Sequence, residues 1–205
     1  MTHYYDPEPQ SASNERTISF EIYDKKISLI TDNGVFSKNK VDEGSLFFLR
    51  TIIPLQLGEK ILDIGCGYGT IGLTIAIFKK EARVDLADIN TRALALCARN
   101  AHNLGIKERI NIINSDVYSN IEENKYESIV VNPPIRAGKI VTYAMYEGAK
   151  QRLIDGGCLY VVIRKAQGAE SASKYIQELF GNIEMIDRHK GYHVYRATKT
   201  QNNID

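Results

Sequence analysis

Hydrophobic and polar positions change their spacing along the chain in a way that predicts strands and helices in turn. Short apolar runs predict strands at residues 60–64, 84–87, 110–113, 128–131, 159–163, 183–186 and 193–197. Apolar residues at helical spacing predict helices at about 43–53, after Gly69, and at 91–103, 142–153 and 170–180. This alternation predicts an α/β fold with a doubly wound, mostly parallel sheet of seven strands.

The first 41 residues have a different pattern. Two partly alternating runs at 17–23 and 26–31 are separated by Asp24-Lys25, which predicts a β-hairpin. Asp42 is placed to cap the helix that follows. We therefore expect an N-terminal extension at 1–41 and a main domain at 42–205, within one globular unit. A chain of 205 residues, 43% of them hydrophobic, can bury one sizeable core.

Residues 60–73 combine a short apolar strand, a glycine-rich turn and the start of a helix. Gly65, Gly67 and Gly69 follow Asp63 with the spacing G-x-G-x-G, whereas dinucleotide sites favour G-x-G-x-x-G. The Asp63 carboxylate would repel a phosphate but not an ammonium group. S-adenosylmethionine has an ammonium, a sulfonium and no phosphate, so it fits this turn better than a dinucleotide does. A purely structural turn remains the alternative.

Polar side chains follow consecutive strands of the predicted sheet. Asp63, Asp88, Asp116 and Asn132 stand at or just after four carboxyl ends. Asp88 lies about 20 residues beyond the glycines, the distance at which a second strand presents an acid to ribose hydroxyls. Ligands of doubly wound sheets bind at the carboxyl ends of the strands. The four residues are therefore expected to converge on one crevice.

Asn132-Pro133-Pro134-Ile135 follows a buried strand and cannot extend it, because proline lacks an N–H donor and has a fixed φ. The Asn132 and Pro133 carbonyls are expected to lack sheet partners and to be held rigidly. An amide oxygen and a fixed carbonyl could accept both protons of an exocyclic amino group. The motif therefore predicts an amine-binding site, with a simple strand-ending turn as the alternative.

Together these motifs resemble those of class I S-adenosylmethionine-dependent methyltransferases that act on amino nitrogens. Further blocks are similar to the RsmC-like family of ribosomal RNA guanine-N2 methyltransferases, of which this chain resembles a single-domain member. The blocks are His3-Tyr4-Tyr5, Gly34-Val35-Phe36-Ser37, Val41-Asp42-x-Gly44-Ser45, residues 132–139 and Arg164-Lys165-x-Gln167-Gly168. The resemblance implies a Rossmann-like methyltransferase sheet with a small N-terminal hairpin and helix extension.

The resemblance also implies S-adenosylmethionine as cofactor, S-adenosylhomocysteine as product, and a role for each motif residue. Asp63 and the glycine backbone would hold the methionine part, Asp88 the ribose and Asp116 the adenine amino group. The implied cofactor-binding residues are Asp63, Gly65, Cys66, Gly67, Gly69, Asp88, Ile89, Asp116, Val117 and Asn132. The implied catalytic residues are Asn132, Pro133 and Pro134, which would orient the target nitrogen.

A second group of residues is expected to contact the substrate. It consists of Phe36, Ser37, Ile135, Arg136, Lys139, Arg164 and Lys165. Phe36 and Ser37 would close over the site, and the basic residues would contact RNA phosphates. Many relatives carry Phe or Tyr where this chain has Ile135, so the acceptor stays open. The substrate could instead be adenine N6 or a protein glutamine amide, and a non-catalytic RNA-binding assembly factor is a further alternative.

Charge and cysteine content limit the other function classes. The net charge is +1, so RNA binding requires a local basic patch rather than a global field. The three cysteines show no metal-ligand spacing, and no metal site is predicted. The absence of an apolar run of transmembrane length predicts no membrane partner and a cytoplasmic location. The expected partner is ribosomal RNA or a ribosomal subunit, with the protein a monomer or homodimer.

Overall fold

The computed structural model describes residues 7–8, 11–123 and 125–200, so the family block His3-Tyr4-Tyr5 lies outside the described residues. Its strands are β1 (Arg16–Ile22), β2 (Lys25–Thr31), β3 (Lys60–Ile64), β4 (Arg83–Asp88), β5 (Ile110–Asn114), β6 (Tyr126–Val131), β7 (Leu153–Arg164), β8 (Glu184–His189) and β9 (Tyr192–Thr198). Its helices are α1 (Glu43–Ile52), α2 (Thr70–Phe78), α3 (Thr91–Asn103), α4 (Lys139–Arg152) and α5 (Ala169–Phe180). Among these elements, no helix is long and apolar enough to cross a bilayer.

A seven-stranded sheet with the order β5-β4-β3-β6-β7-β9-β8 forms the centre of the protein. Strands β3 to β7 pair in parallel, and β9 runs antiparallel to both of its neighbours. The strand order reverses between β3 and β6, and in such sheets ligands bind at this switch point. The predicted fold class, a mostly parallel seven-stranded sheet with an N-terminal hairpin, is therefore confirmed.

The β1–β2 hairpin packs against the main domain instead of standing apart. Its alternation places Ile22, Ile27 and Leu29 in the same buried cluster as Leu49 of α1 and Ile61 of β3. Burying a side chain of this size stabilises a fold by about 1.5–3 kcal/mol. The hairpin therefore fixes the position of the segment that joins β2 to α1.

Strand β7 is longer than the sequence predicts. The sequence predicts a strand only at 159–163, yet β7 begins at Leu153 and continues through Gly156 and Gly157. The Gly156 N–H donates to the Lys199 carbonyl, and the Lys199 N–H donates to the Gly157 carbonyl, each at 2.8 Å. The register against β6 shifts at the same place, so this is an irregular strand held by a partner distant in sequence.

Candidate functional site

A cavity of about 260 Å³ opens at the carboxyl ends of β3 to β6. Sequence-predicted site residues in its lining are Phe36, Ser37, Gly65, Cys66, Gly67, Asp88, Ile89, Asp116, Val117, Asn132, Pro133 and Pro134. They follow four different strands or precede α1, and the sheet topology brings them together. The structure thus places the predicted polar groups of three strand ends, and the glycine turn of a fourth, around one space.

The glycine turn is bound to the end of β4. The N–H groups of Gly65 and Cys66 both donate to the Ala87 carbonyl, at 2.8 and 3.0 Å. The Gly67 N–H donates to Asp88 Oδ2 at 2.8 Å. Gly67 has φ +57°, and a Cβ added there would meet no atom within 4 Å. The backbone of Gly67 therefore faces open space where a ligand can approach it.

Asp63 is buried beneath the turn and does not line the cavity. Its Oδ2 accepts a hydrogen bond of 2.8 Å from the Gly72 N–H in α2. Burial raises the pKa of Asp63 to about 7; the hydrogen bond from Gly72 lowers it, and the charge of Asp88 raises it. A Cβ on Gly72 would lie 2.2 Å from Leu86 Cδ2, so this glycine lets α2 approach the sheet. In the structure Asp63 joins β3 to α2.

Asp88 connects the glycine turn to the start of α3. Its Oδ2 accepts from Gly67, and its Oδ1 accepts from the Asn90 N–H at 2.9 Å. Burial raises the pKa of this carboxyl, and the backbone hydrogen bonds lower it. Each carboxylate oxygen has two lone pairs, so further acceptor capacity remains for hydroxyl groups in the cavity.

The segment after β5 is held in an uncommon backbone conformation. Val117 has φ +49°, which is a strained region for a β-branched residue. The Ser115 hydroxyl donates to the Val117 carbonyl at 2.9 Å, and the Ser115 N–H donates to the Asp88 carbonyl at 3.0 Å. These bonds direct Val117 and the exposed Asp116 towards the cavity.

Asn132, at the end of β6, is oriented by the first turn of α1. Its Nδ2 donates to Ser45 Oγ at 2.9 Å, and the Ser45 hydroxyl donates to Asp42 Oδ2 in a short hydrogen bond. Asp42 is also the N-cap of α1, since its Oδ1 accepts from the Ser45 N–H at 3.1 Å. All three residues line the cavity. The sequence predicts Asp42 as a helix cap and places both Asp42 and Ser45 in a family block, but it assigns neither residue a role at the site.

The two prolines after Asn132 form a tight turn. The Ile135 N–H donates to the Pro133 carbonyl at 2.9 Å, and the Ala137 N–H donates to the Pro134 carbonyl at 2.8 Å. The Pro133 carbonyl thus has no partner in the sheet ladder but does have one within its own turn. A carbonyl oxygen has two lone pairs, so Pro133 keeps one acceptor position.

The segment between β2 and α1 covers one side of the cavity, with Val35, Phe36, Ser37, Val41 and Asp42 in the lining. Asn90 Nδ2 donates to the Gly34 carbonyl at 3.1 Å, and the Tyr68 hydroxyl donates to the Ser37 carbonyl at 3.3 Å. Arg92 donates to the Asn33 carbonyl at 3.0 Å. Residues of the main domain therefore hold this segment in place, and none of these hydrogen bonds was foreseen from the sequence.

Several predicted residues lie outside the cavity lining: Asp63, Gly69, Ile135, Arg136, Lys139, Arg164 and Lys165. A Cβ on Gly69 would lie 2.5 Å from Leu73 Cδ1 and 2.8 Å from Cys97 Sγ, so this glycine permits close packing. Arg136 and Lys139 are exposed just after the proline turn, and Arg164 and Lys165 are exposed where β7 ends. Their contacts with a substrate remain predictions.

Comparison with known proteins gives a consistent result. Residues 26–196 match the family model of the methyltransferase small domain. The uncharacterized Bacillus subtilis protein YbxB is 40% identical over 96% of this chain and 98% of its own length. The ribosomal RNA small subunit methyltransferase C of Erwinia tasmaniensis is 31% identical over 86% of this chain and 51% of its own length. The ribosomal RNA large subunit methyltransferase G of Streptomyces avermitilis is 30% identical over 81% of this chain and 44% of its own length.

Among solved structures, the T. thermophilus 16S rRNA N2 G1207 methyltransferase RsmC in complex with AdoMet and guanosine superposes with a TM-score of 0.81. It is 26% identical in sequence, and the match covers 93% of this chain and 52% of that one. The chain thus spans about half the length of the named ribosomal RNA methyltransferases that it matches.

Proposed function

The chain belongs to the methyltransferase small domain family, among the RsmC-like class I methyltransferases, and from that premise we propose that it methylates ribosomal RNA. The reaction proposed is transfer of a methyl group from S-adenosylmethionine to the exocyclic N2 amine of a guanine, in RNA of the small subunit. One observation carries the proposal: the glycine turn, Asp88, Asp116 and the Asn132-Pro133-Pro134 turn all line one cavity.

The cavity residues suit S-adenosylmethionine. The open space at Gly67 is a place that a Cβ would fill, and it allows a ligand to contact the backbone. Asp88 keeps acceptor capacity for ribose hydroxyls, and Asp116 is an exposed acceptor for an adenine amino group. The residues proposed to hold the cofactor are therefore the Gly65–Gly67 turn, Asp88, Ile89, Asp116 and Val117.

The protein's part in the chemistry is mainly to position the amine. When bound, the cofactor supplies a methyl group activated by a positively charged sulfur. Asn132 Oδ1 and the free acceptor position of Pro133 can each accept one N–H of the target amino group. Two such bonds aim the nitrogen lone pair and stabilise the positive charge that develops on nitrogen. The amine then loses one proton to solvent, so no strong base is required in the cavity.

The proposed acceptor is a base outside a helix. The cavity lies among protein side chains at the carboxyl end of the sheet, and a paired base inside a duplex cannot enter such a space. Arg136 and Lys139 lie directly after the proline turn, where RNA phosphates on either side of an extruded base would pass.

The first test is a transfer assay with purified protein, labelled S-adenosylmethionine and in vitro transcribed 16S and 23S ribosomal RNA, alongside isolated ribosomal subunits. The RNA is then digested to nucleosides and analysed by mass spectrometry. We expect N2-methylguanosine in the 16S RNA or in the small subunit. N6-methyladenosine would show that the acceptor is wrong. Binding of S-adenosylhomocysteine with no methyl transfer to any of these RNAs would contradict the proposed activity.

Asn132→Ala is expected to lower the methyl-transfer rate by about 10²–10³-fold, because it removes an acceptor that acts in the transition state. The affinity for S-adenosylhomocysteine should stay within about threefold of the wild type, since this residue is proposed to hold the amine and not the cofactor. Asn111→Ala, on the exposed face of β5, is the matched control. An equal loss of cofactor affinity would mean that Asn132 holds the cofactor and not the amine.

A further inference from the structure

Three residues form a hydrogen-bonded chain from α1 to the end of β6. Asp42 lies before α1, Ser45 lies in its first turn, and Asn132 lies at the tip of the strand 87 positions further along the sequence. Ser45 is 4% exposed, so its hydroxyl has little access to solvent. We propose that Asp42 and Ser45 are positioning residues that fix the orientation of the Asn132 amide and thereby present its oxygen to the cavity.

The direction of the hydrogen bonds follows from the number of protons available. An ionised carboxylate only accepts hydrogen bonds, and a serine hydroxyl carries a single proton. Once Ser45 donates that proton to Asp42, its oxygen can only accept. The partner on the other side must therefore be a donor, and the Asn132 NH₂ group satisfies this requirement at 2.9 Å.

The same hydrogen-bonded chain disfavours the opposite orientation of the Asn132 amide. If Oδ1 pointed at Ser45, the serine proton would be needed for that contact. Asp42 Oδ2 would then face a hydroxyl lone pair inside a nearly buried contact, and a polar group left unsatisfied there costs about 1–3 kcal/mol. The hydrogen-bonded chain of Asp42, Ser45 and Asn132 therefore selects the orientation in which Oδ1 points away from Ser45, towards the remaining space of the cavity.

The helix itself holds this arrangement in place. Asp42 caps α1 through its Oδ1 and uses its Oδ2 for the Ser45 hydroxyl, so one carboxylate does both tasks. Helix α1 packs through buried Phe48, Leu49 and Ile52 into the main core. The orientation of Asn132 thus depends on a rigid element that contributes no other group to the reaction.

The catalytic meaning of this inference rests on the proposed function, but the amide orientation can be measured without any substrate. In ¹⁵N-labelled protein, the Asn132 side-chain NH₂ signals are assigned by their disappearance in Asn132→Ala. We expect one NH₂ proton shifted downfield in the wild type, and loss of that shift in Ser45→Ala. Identical Asn132 NH₂ signals in wild type and Ser45→Ala would overturn the inference whether or not the protein methylates RNA.

The second measurement is the single-turnover rate of methyl transfer at saturating S-adenosylmethionine. Ser45→Ala should lower this rate by about 10- to 100-fold, equivalent to the loss of one orienting hydrogen bond. The affinities for S-adenosylhomocysteine and for RNA should change by less than about threefold. Ser45→Thr keeps the hydroxyl and should restore most of the rate.

Ser128→Ala is the matched structural control. Ser128 lies on β6, the strand that Asn132 follows; it is buried and donates its hydroxyl to the Leu57 carbonyl at 2.6 Å. The Ser128→Ala protein should lose stability to a similar extent as Ser45→Ala while keeping the wild-type rate of methyl transfer. Equal rates in Ser45→Ala and wild type, or equal rate losses in the two alanine variants, would overturn the inference. An inactive wild type with the expected NH₂ shift would instead refute only the proposed function.

Discussion

At the scale of single residues, Asp63 shows how a motif position can act through the fold. The sequence associates this carboxylate with the ligand, yet the structure places it under the glycine turn, bonded to the Gly72 N–H. Burial raises its pKa to about 7, against about 4 in an unfolded chain. The folded protein therefore binds a proton at Asp63 more tightly than the unfolded protein does.

This difference gives the stability of the protein a defined pH dependence. Between about pH 4 and 7 the folded state binds more protons at Asp63, so the free energy of unfolding should fall as the pH rises and level off above pH 7. Asp63 accounts for up to about 4 kcal/mol of this fall. Asp63→Asn should remove this contribution to the pH dependence. The free energy of unfolding, obtained by urea denaturation of both proteins at pH 5 and pH 7.5, measures the difference.

The comparison with wild type isolates Asp63, because Asp88, whose pKa is also raised, is present in both proteins. Asp155→Asn, at an exposed position, is the control. If Asp63→Asn loses as much stability between the two pH values as the wild type does, Asp63 is not the group responsible.

At the scale of elements, Asn100 joins three parts of the fold that are distant in sequence. From α3, its Oδ1 accepts from the Ile30 N–H at 2.7 Å, and its Nδ2 donates to the carbonyls of Ile30 and Tyr68 at 2.9 and 3.0 Å. Ile30 belongs to the hairpin and Tyr68 to the glycine turn. One side chain therefore fixes the hairpin, α3 and the glycine turn relative to one another.

Asn100→Ala is expected to cost about 3 kcal/mol of stability, because it leaves buried backbone groups of the hairpin and of the turn without partners. It should also weaken S-adenosylhomocysteine binding several-fold by loosening Tyr68. Denaturant unfolding and calorimetric titration measure the two effects. Asn103→Ala, exposed on the same helix, should change neither. A stability loss under about 0.5 kcal/mol would mean that these contacts contribute no more than surface ones.

These elements also show what the sequence could and could not predict. The strand-end residues Asp88, Asp116 and Asn132 were predicted to converge because the carboxyl ends of parallel strands share one side of a sheet. The bonds of Asn100 and Ser45 span 70 and 87 positions, and no local spacing reports on contacts at that distance. The sequence does not predict the first half of β7 for the same reason, because its backbone is hydrogen-bonded to Lys199, which is distant in sequence.

At the scale of the whole molecule, a net charge of +1 means that the proposed binding of RNA depends on a local basic surface. The carboxyl end of β7 carries Arg164 and Lys165, and the β8–β9 turn lies beside it, since the Lys165 N–H donates to the Gly191 carbonyl at 2.7 Å. Lys190 in that turn is exposed, as are Arg164 and Lys165. Positive charge from two chain segments therefore collects on the side of the sheet where the cavity opens.

The double variant Lys165→Ala/Lys190→Ala should weaken binding to ribosomal RNA and reduce the slope of log K against log salt by about 1.5, through the loss of two phosphate contacts. Fluorescence anisotropy with a labelled RNA fragment between low and moderate salt measures this. Lys60→Ala/Lys80→Ala removes the same charge at the amino end of the sheet and should leave the slope unchanged. Equal slopes in all three proteins would exclude this surface as the RNA contact.

Strand β9 runs antiparallel to β7 and leads away from the cavity. Tyr192 pairs with Arg164 beside the cavity, and Thr198 pairs with Cys158, so the chain travels away from the cavity along this strand. A biotin tether or affinity handle introduced after β9 would leave from the side remote from the pocket mouth. The protein can therefore be immobilised on a sensor chip with the opening of its cavity turned to the flowing solution.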